Sequence, residues 1–454
     1  MESGRGMQRA AELGAGGTLE ELARAGLRDR DYENLPTSAR LRGHAALEAG
    51  AGKLLACDCA DTEPGVEVAR FLLRSHSDEI VDGAVIAAFA TSTPRVHLHV
   101  GEDDQTGAAA LARAIGRATA AAGAAESGGA NLPEIRVIPA PFRRNLKGYE
   151  DVPTLVVTAE PLVAISRALA IGADRFRESG TPESSGTKFF QLSGAVKRPG
   201  IYERPLGTTP RQLIDEDGGG PADGETLRGV IVGGAKGACY LPDELDIGLD
   251  FDTVKRAGGV LGSGAVMVLS GSDCLVDLTK RSLANSCYDT CGMCSLGREG
   301  SYQLREIVGD ATRGKGKTND AGMLRELGRA MQLGCACSNG RTAPNLVLSG
   351  LARFPEEYDA HMRRKKCEAL VCERYVTFHI LPDLCDGCGE CAEACPEDAI
   401  EGGRRKIHVI DQDSCEKCGK CFEVCSRLRK AVVKAGTIKP RTPKRPIPVG
   451  TWNG

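Results

Sequence analysis

The sequence predicts a multidomain α/β protein. Its 454 residues suffice for two to four domains. In the first part of the chain, short apolar segments alternate with stretches of helical periodicity, which is typical of an α/β domain. Two four-cysteine runs near the C-terminus indicate a separate small domain that is built around metal.

Composition argues against several functional classes. The formal net charge of −3 argues against a general nucleic-acid-binding protein. No apolar run approaches the ~18 residues of a membrane span, and residues 1–17 lack the apolar core of a signal peptide. Nineteen cysteines without an export signal favour metal ligation in a reducing compartment. We therefore expect a cytoplasmic protein without a membrane span.

The first domain, residues 1–185, is expected to be a sheet flanked by helices. Its expected helices are Thr18–Leu27, Val66–Phe89, Thr106–Ala122 and Pro161–Phe176. Its expected strands are Ala51–Cys57, Pro94–Val100, Glu134–Ile138 and Thr154–Val157. The small polar stretch Gly123–Asn131 predicts a loop.

Residues 186–272 predict a small β-grasp-like module. Its expected strands are Phe189–Val196, Arg198–Tyr202, Val230–Gly234 and Ala265–Leu269. Thr208 or Thr209 would cap a short helix with Pro210 in its first turn. Residues 273–366 then predict a helical bundle. Its expected helices are Glu299–Val308, Ala321–Leu333 and Asn345–Arg364.

The strongest functional signal is a doubled C-x2-C-x2-C-x3-C pattern within residues 367–426. In bacterial-type 2[4Fe–4S] ferredoxins, three cysteines of one run bind one cluster and the fourth completes the other cluster. The first expected ligand set is Cys385, Cys388, Cys391 and Cys425. The second expected set is Cys415, Cys418, Cys421 and Cys395. Zinc ribbons are the alternative, but they use paired C-x2-C units.

A second group of cysteines flanks the first helices of the predicted bundle. Its members are Cys287, Cys291, Cys294, Cys335 and Cys337. Four thiolates gathered at one end of a bundle suit a third [4Fe–4S] cluster. A zinc ion and free thiols are the alternatives.

A further candidate metal site lies between the bundle and the ferredoxin. His361, Cys367 and Cys372 are closely spaced, and Cys274 is the candidate fourth ligand of a structural zinc. The alternative is that these cysteines are simply small buried residues. The tail, residues 427–454, carries eight Lys/Arg and no acid. We expect it to be extended, either as a solvated tail or as an arm that becomes ordered on a partner.

Four segments resemble the flavoprotein (NADH-oxidising) subunit of respiratory complex I. Residues 286–300, SCYDTCGMCSLGREG, are similar to its motif S-C-G-x-C-x-x-C-R-E-G. Residues 337–345 resemble its C-x-x-G-x-T-A-P-N. Residues 186–202 and 206–209 resemble its β-grasp (SLBB) domain. The β-subunits of bifurcating hydrogenases and NAD-linked formate dehydrogenases share these features, and the hydrogenase β-subunits also have a similar ferredoxin extension.

The resemblance implies ligands for the bundle cluster. Cys291, Cys294 and Cys337 match family positions, but the family's third cysteine falls on Gly297. The missing ligand must then be Cys287 or Cys335, and we favour Cys287 because it lies only four residues upstream of Cys291 in a turn expected to be flexible. Without either, a [3Fe–4S] or labile cluster would follow.

The same resemblance exposes losses in the first domain. The family's FMN loop, G-R-G-G-A-G-F-P-T-G, corresponds here to Gly43–Gly52, where the glycine pattern is broken and Glu48 brings an anion to a phosphate site. Residues 58–65 keep only part of N-A-D-E-S-E-P-G. The loop G-A-Y-x-C-G-E-E-T-A-L has no counterpart between Ile135 and Tyr149. Residues 156–161 lack the asparagines of V-V-N-N-V-E-T. FMN and NAD are therefore expected to be absent, with a remodelled flavin pocket as the alternative.

Together these patterns predict five segments. They are a degenerate flavoprotein-like α/β domain (1–185), an SLBB domain (186–272), a helical bundle with a [4Fe–4S] cluster (273–366), a 2[4Fe–4S] ferredoxin (367–426) and a basic tail (427–454). The predicted function is electron transfer through three clusters in a multi-subunit oxidoreductase. Expected partners are hydrogenase, formate dehydrogenase or heterodisulfide-reductase-like subunits, or a thioredoxin-like [2Fe–2S] subunit. The alternatives are an FMN-dependent diaphorase and an assembly scaffold.

Overall fold

The computed structural model describes residues 4–30, 32–48, 52–61, 63–123, 132–140 and 152–453. Several predictions fall partly outside these ranges. Most of the predicted loop Gly123–Asn131 and most of the segment 139–149 lie outside the described residues. So do residues 49–51 of the stretch that corresponds to the FMN loop, and residue 62 of the segment 58–65.

A parallel sheet forms the centre of the first domain. Its strands are β1 (Leu54–Asp58), β2 (Arg95–His99), β3 (Glu134–Ile138) and β4 (Thr154–Thr158). They are ordered β3-β2-β1-β4, and each neighbouring pair is parallel. The central strand β1 is buried from Leu54 to Cys57, as expected of a strand that is covered on both faces.

Helices pack around this sheet. They are α1 (Arg5–Arg24), α2 (Thr37–Ala45), α3 (Val68–Ser75), α4 (Ser77–Thr91), α5 (Gln105–Gly123), α6 (Ala159–Ile171) and α7 (Ala173–Phe176). Two predicted long helices are interrupted. His76 has non-helical torsions (φ −132°, ψ 25°) and separates α3 from α4. Gly172, at φ 85°, separates α6 from α7.

The second domain contains a mixed five-stranded sheet. Its strands are β5 (Thr187–Gly194), β6 (Gly200–Pro205), β7 (Gly229–Val232), β8 (Ala238–Tyr240) and β9 (Ala265–Leu269), and its α-helices are α8 (Pro210–Gln212) and α9 (Phe251–Arg256). The order is β6-β5-β9-β7-β8, with β5 and β9 parallel. Gly194 ends β5 at φ 81°, and a Cβ there would lie 2.2 Å from the Val268 carbonyl oxygen, so only glycine allows this close pairing.

A helical bundle follows, as predicted. Its helices are α10 (Leu275–Tyr288), α11 (Ser295–Thr312), α12 (Asp320–Gly334), α13 (Ser338–Thr342), α14 (Asn345–Arg353) and α15 (Pro355–Met362). The predicted helix Asn345–Arg364 is interrupted because Pro355 begins α15 and disfavours a helical Phe354. The bundle core includes Leu283, Leu304 and Val347 and is continuous with Cys239 and Leu269 of the preceding sheet.

The ferredoxin-like unit comes last. It comprises β10 (Thr377–Ile380), α16 (Glu390–Glu393), β11 (Ile400–Gly403), β12 (Lys406–Ile410), α17 (Lys420–Leu428) and β13 (Val432–Ala435). Two antiparallel pairs, β10 with β13 and β11 with β12, frame it. Strand β13 lies beyond residue 426, the predicted end of the ferredoxin.

The C-terminal tail packs against this unit, whereas the sequence predicted either a solvated tail or an arm that becomes ordered on a partner. Its backbone follows β12: the Ile407 amide donates to the Ile447 carbonyl at 2.8 Å, and the Val449 amide donates to the Arg405 carbonyl at 3.0 Å. Ile447 and Trp452 pack against the ferredoxin core. Because the tail is mostly basic, its sequence did not indicate that these two apolar residues would pack against the core.

Candidate metal centres

The cysteines of the two four-cysteine runs line two separate cavities. Cys385, Cys388 and Cys391 line one cavity together with Cys425. Cys415, Cys418 and Cys421 line the other together with Cys395. Each cavity receives three cysteines from one run and the fourth from the other.

Two glycines allow the cysteines of each run to face one cavity. Gly389 and Gly419 lie between the second and third cysteines of their runs and have φ values of 92° and 79°. Each directly precedes a helix, α16 or α17. A left-handed torsion at this point costs glycine little, so the chain turns back with both flanking thiols on the same side.

Backbone amides point at these sulfurs. The Val432 amide donates to Cys425 Sγ and the Lys417 amide to Cys415 Sγ, both at 3.4 Å. Such donors favour the thiolate form that binds iron. Burial raises the pKa of Cys391 to about 12 and that of Cys421 to about 11 in the metal-free protein. Both buried thiols therefore need a metal cation to become ligands at neutral pH.

Four bundle thiols converge in two pairs. The Sγ atoms of Cys291 and Cys337 are 3.8 Å apart. The Sγ atoms of Cys294 and Cys335 both lie beside Gly297, within 3.9 Å of where its Cβ would be. Cys294 stands at the N-terminus of α11, where the helix dipole favours an anionic thiolate. Amides of Ala336 and Gly297 donate to this thiol and lower the pKa of Cys294.

Cys287, the fourth ligand that we favoured from the sequence, is not part of this group. It lies in the last turn of α10, and its charged neighbours are Arg305 and Glu306 of α11. The expected flexible turn is instead helical and held in place, because the following Asp289 is ion-paired with Lys236 at 3.0 Å. The structure brings Cys335 to the other thiols instead. The sequence indicated this only weakly, through the position of Cys335 two residues before Cys337.

A compact group lies where the sequence predicted zinc. The ligand atoms of Cys274, His361, Cys367 and Cys372 all lie within 4.8 Å of one another. Cys274 Sγ is 3.7 Å from Cys372 Sγ and 3.4 Å from His361 Nε2. It is the one such compact group among the described residues, and the bundle thiols are not part of it.

Hydrogen bonds prepare this group for a cation. His361 Nδ1 lies 2.9 Å from the Glu357 carbonyl oxygen, which directs Nε2 towards the sulfurs. Burial alone would lower the pKa of His361, but hydrogen bonding to Cys367 raises it. Hydrogen bonds from Cys274 and Cys372 lower the pKa of Cys367. Without metal, the group thus stabilises one thiolate through its neighbours.

A large cleft opens at the carboxyl ends of β1, β2 and β3, where nucleotides bind in many α/β folds. Its lining includes Asp61, Glu102, Asp103 and Asp104. The lining cation Arg70 is ion-paired with Asp103 at 2.6 Å. The lining is thus poorly suited to a phosphate.

The segment that corresponds to the family's FMN loop begins as a helix. Gly43 lies in α2, which continues to Ala45. The next amides are engaged, since Ala46 donates to the Arg42 carbonyl and Leu47 to the His44 carbonyl. Within the described part, residues 43–48, these two amides are not free to cradle a phosphate.

Comparison with known families matches four separate segments of the chain, and these agree with the segments that the motifs indicated. The NADH-ubiquinone oxidoreductase-F iron-sulfur binding region matches residues 277–361. The 4Fe-4S dicluster domain matches residues 378–451. The Nuo51 FMN-binding domain matches residues 22–143 and the SLBB domain matches residues 189–236. These matches confirm the resemblance inferred from the cysteine motifs and the SLBB-like segment.

Named relatives agree with these matches. The NADP-reducing hydrogenase subunit HndC of Solidesulfovibrio fructosivorans is 36% identical over 58% of this chain and 53% of its own length, so the chain spans about half of that relative. The F 2 subunit of NADH-quinone oxidoreductase from Rhizobium meliloti is 27% identical over 77% of this chain and 89% of its own length.

A solved structure shares the fold. The crystal structure of NAD+-reducing [NiFe]-hydrogenase in the H2-reduced state aligns with a TM-score of 0.66 and 25% identity, over 77% of this chain and 63% of that chain. In the part of the chain that the structure describes, no helix is long and apolar enough to cross a membrane. The chain therefore resembles the F subunits of NADH-quinone oxidoreductase, and its segments match the iron-sulfur binding, SLBB and 4Fe-4S dicluster families.

Proposed function

We propose that this chain is the electron-transfer subunit of a multi-subunit oxidoreductase and relays electrons through three [4Fe–4S] clusters. The observation that carries the proposal is the exchange of fourth cysteines between the two cavities of the ferredoxin-like unit. One cluster would be held by Cys385, Cys388, Cys391 and Cys425. The other would be held by Cys415, Cys418, Cys421 and Cys395. Clusters bound in this way accept and release single electrons.

The third cluster would lie in the bundle, on Cys291, Cys294, Cys337 and one further thiol. The match of residues 277–361 to the NADH-ubiquinone oxidoreductase-F iron-sulfur binding region supports a cluster here. The position of Cys294 at the N-terminus of α11 also favours an anionic cluster.

Zinc is the proposed metal of the group formed by Cys274, His361, Cys367 and Cys372. In a tetrahedral site with Zn–S near 2.3 Å and Zn–N near 2.05 Å, ligand sulfurs lie about 3.8 Å apart and sulfur and nitrogen about 3.5 Å apart. The separations here, 3.7 Å for Cys274 and Cys372 and 3.4 Å for each of these sulfurs to His361 Nε2, suit that geometry. Such closed four-ligand sites are structural.

The proposed relay works without its own FMN or NADH. Two physical arguments support this: the engaged amides that follow α2, and the carboxylates around the cleft at the carboxyl ends of β1 to β3. Four carboxylates beside a neutralised arginine repel an anionic dinucleotide. The second candidate function is an FMN-dependent diaphorase with a divergent pocket, and the match of residues 22–143 to the Nuo51 FMN-binding domain favours it.

Partners of the relay would be other redox subunits that donate and accept its electrons. The relatives are named as subunits of a hydrogenase and of NADH-quinone oxidoreductase. Hydrogenase-like, formate dehydrogenase-like and heterodisulfide-reductase-like subunits are the proposed classes. A thioredoxin-like [2Fe–2S] subunit is a further one.

Elemental and flavin analysis of anaerobically purified protein tests this function. Three cubanes require about twelve irons per chain. The relay predicts that value together with one zinc and no flavin. Near-stoichiometric FMN with NADH-dependent dye reduction would establish the diaphorase instead. A chain without reducible iron would contradict both functions and would support the assembly scaffold as the remaining hypothesis.

A further inference from the structure

We propose that Cys335 is the fourth ligand of the bundle cluster and occupies the space that Gly297 leaves open. This inference rests on the proposed function, because it assigns a ligand to the third cluster. In the sequence Cys335 has no counterpart in the family motif, whereas in the structure its thiol and that of Cys294 both border the space beside Gly297.

Two glycines create the space for the Cys335 side chain. A Cβ added at Gly297 would lie 3.0 Å from Cys294 Sγ and 3.9 Å from Cys335 Sγ. A Cβ added at Gly340 would lie 2.8 Å from Cys335 Cβ and 2.9 Å from its Sγ. Any larger side chain at position 340 would therefore displace the thiol. A cysteine at position 297 would direct its sulfur into the region that Cys335 now fills.

The backbone holds Cys335 and Cys337 together. Cys335 ends α12 in an extended conformation (φ −74°, ψ 139°), which turns the chain towards Cys337. The Arg341 guanidinium donates to the carbonyls of Cys335 at 3.2 Å and Ala336 at 3.0 Å. Cys335 is 4% exposed, so its thiol is directed inward.

Several contacts hold the chain directly after Cys287. This cysteine is in the last turn of α10, and the next residues are anchored. The carbonyl of Asp289 accepts a hydrogen bond from Asn339 Nδ2 at 2.8 Å, and its carboxylate is paired with Lys236. Moving Cys287 to the cluster would unwind this turn. Cys335 needs no such rearrangement.

Paired substitutions test the assignment in the full-length protein. Cys335→Ala is expected to lower the iron content from about twelve to about eight, or to give a three-iron EPR signal when oxidised. Cys287→Ala, the matched control, is expected to keep all the iron. The two ferredoxin clusters serve as internal standards, because the EPR signals of these reduced clusters should persist in both variants.

A rescue variant separates ligand loss from misfolding. Gly297→Cys in the Cys335→Ala background restores a thiol beside Cys294, and we expect the iron content to return to about twelve. An intact bundle cluster in Cys335→Ala, with cluster loss in Cys287→Ala, would overturn the ligand assignment but leave the proposed function standing. Wild-type protein with about eight irons would overturn both, since the bundle would then hold no cluster.

Discussion

At the scale of single residues, the proposed zinc group depends on how precisely His361 is placed. Its ring is buried, and one nitrogen faces the Glu357 carbonyl while the other faces Cys274 and Cys372. That division leaves Nε2 as the metal ligand. The position of the His361 ring therefore matters to metal binding as much as the basicity of its nitrogen.

His361→Ala should release the zinc and leave the iron content unchanged. Loss of one of four ligands opens the site, and the remaining buried thiols lose their counter-ion. Zinc per chain, measured by elemental analysis, should fall from about one to near zero. His379→Ala is the matched control, because His379 is also buried in this part of the chain but lies outside the group. Full zinc retention in His361→Ala would contradict the assignment.

At the scale of secondary-structure elements, the tail completes the ferredoxin-like unit. It pairs with β12 and covers the core with Ile447 and Trp452. A ferredoxin this small buries little apolar surface of its own, so an added segment with two apolar side chains matters to its stability.

Trp452→Ala should therefore destabilise the ferredoxin-like unit by about 2–3 kcal/mol, less than the loss at a fully buried tryptophan because this one is partly exposed. The measurable consequence is faster loss of the two ferredoxin clusters, followed by their absorbance during thermal or chemical denaturation. Val449→Ala is the control, because Val449 lies in the same tail and is 40% exposed. Equal rates in the two variants would mean that the tail does not support the unit.

Features that depend on neighbouring residues could be predicted from the sequence, whereas contacts between distant segments could not. The bounds of β3 and β9 follow directly from alternating and apolar residues, and the sequence predicted both correctly. Cysteine spacing predicted the partition of the eight ferredoxin thiols because each ligand set is largely local. Contacts between distant segments were harder. The approach of Cys335 to Cys294 depends on how α11 and α12 pack, and the docking of Trp452 is hidden in a basic, proline-containing stretch.

At the scale of the whole molecule, α11 separates the bundle thiols from the ferredoxin. It starts directly after Cys294 and ends at Thr312, and at 1.5 Å per residue its 18 residues extend about 27 Å. Thr312 and Arg313 line a cleft together with Cys415 of the second ferredoxin cavity. The proposed bundle cluster and the nearer ferredoxin cluster thus lie towards opposite ends of this helix.

The two ferredoxin cavities are much closer to each other. Cys421 lines one cavity and Cys425 the other, and both lie on α17 four residues apart, about 6 Å along its axis. Electron exchange is therefore expected to be fast within this pair. Between the pair and the bundle cluster, electron exchange is expected to be slower.

Spin coupling tests this arrangement, because dipolar interaction between paramagnets falls with the cube of their distance. The fully reduced protein should show EPR splitting from the two ferredoxin clusters, and Cys418→Ala should abolish it by removing one of them. Cys335→Ala should leave the splitting unchanged, since the bundle cluster lies too far away to contribute strongly. If Cys335→Ala instead removed the splitting, the bundle cluster would be a close neighbour of the pair, and electron exchange among all three clusters would be fast.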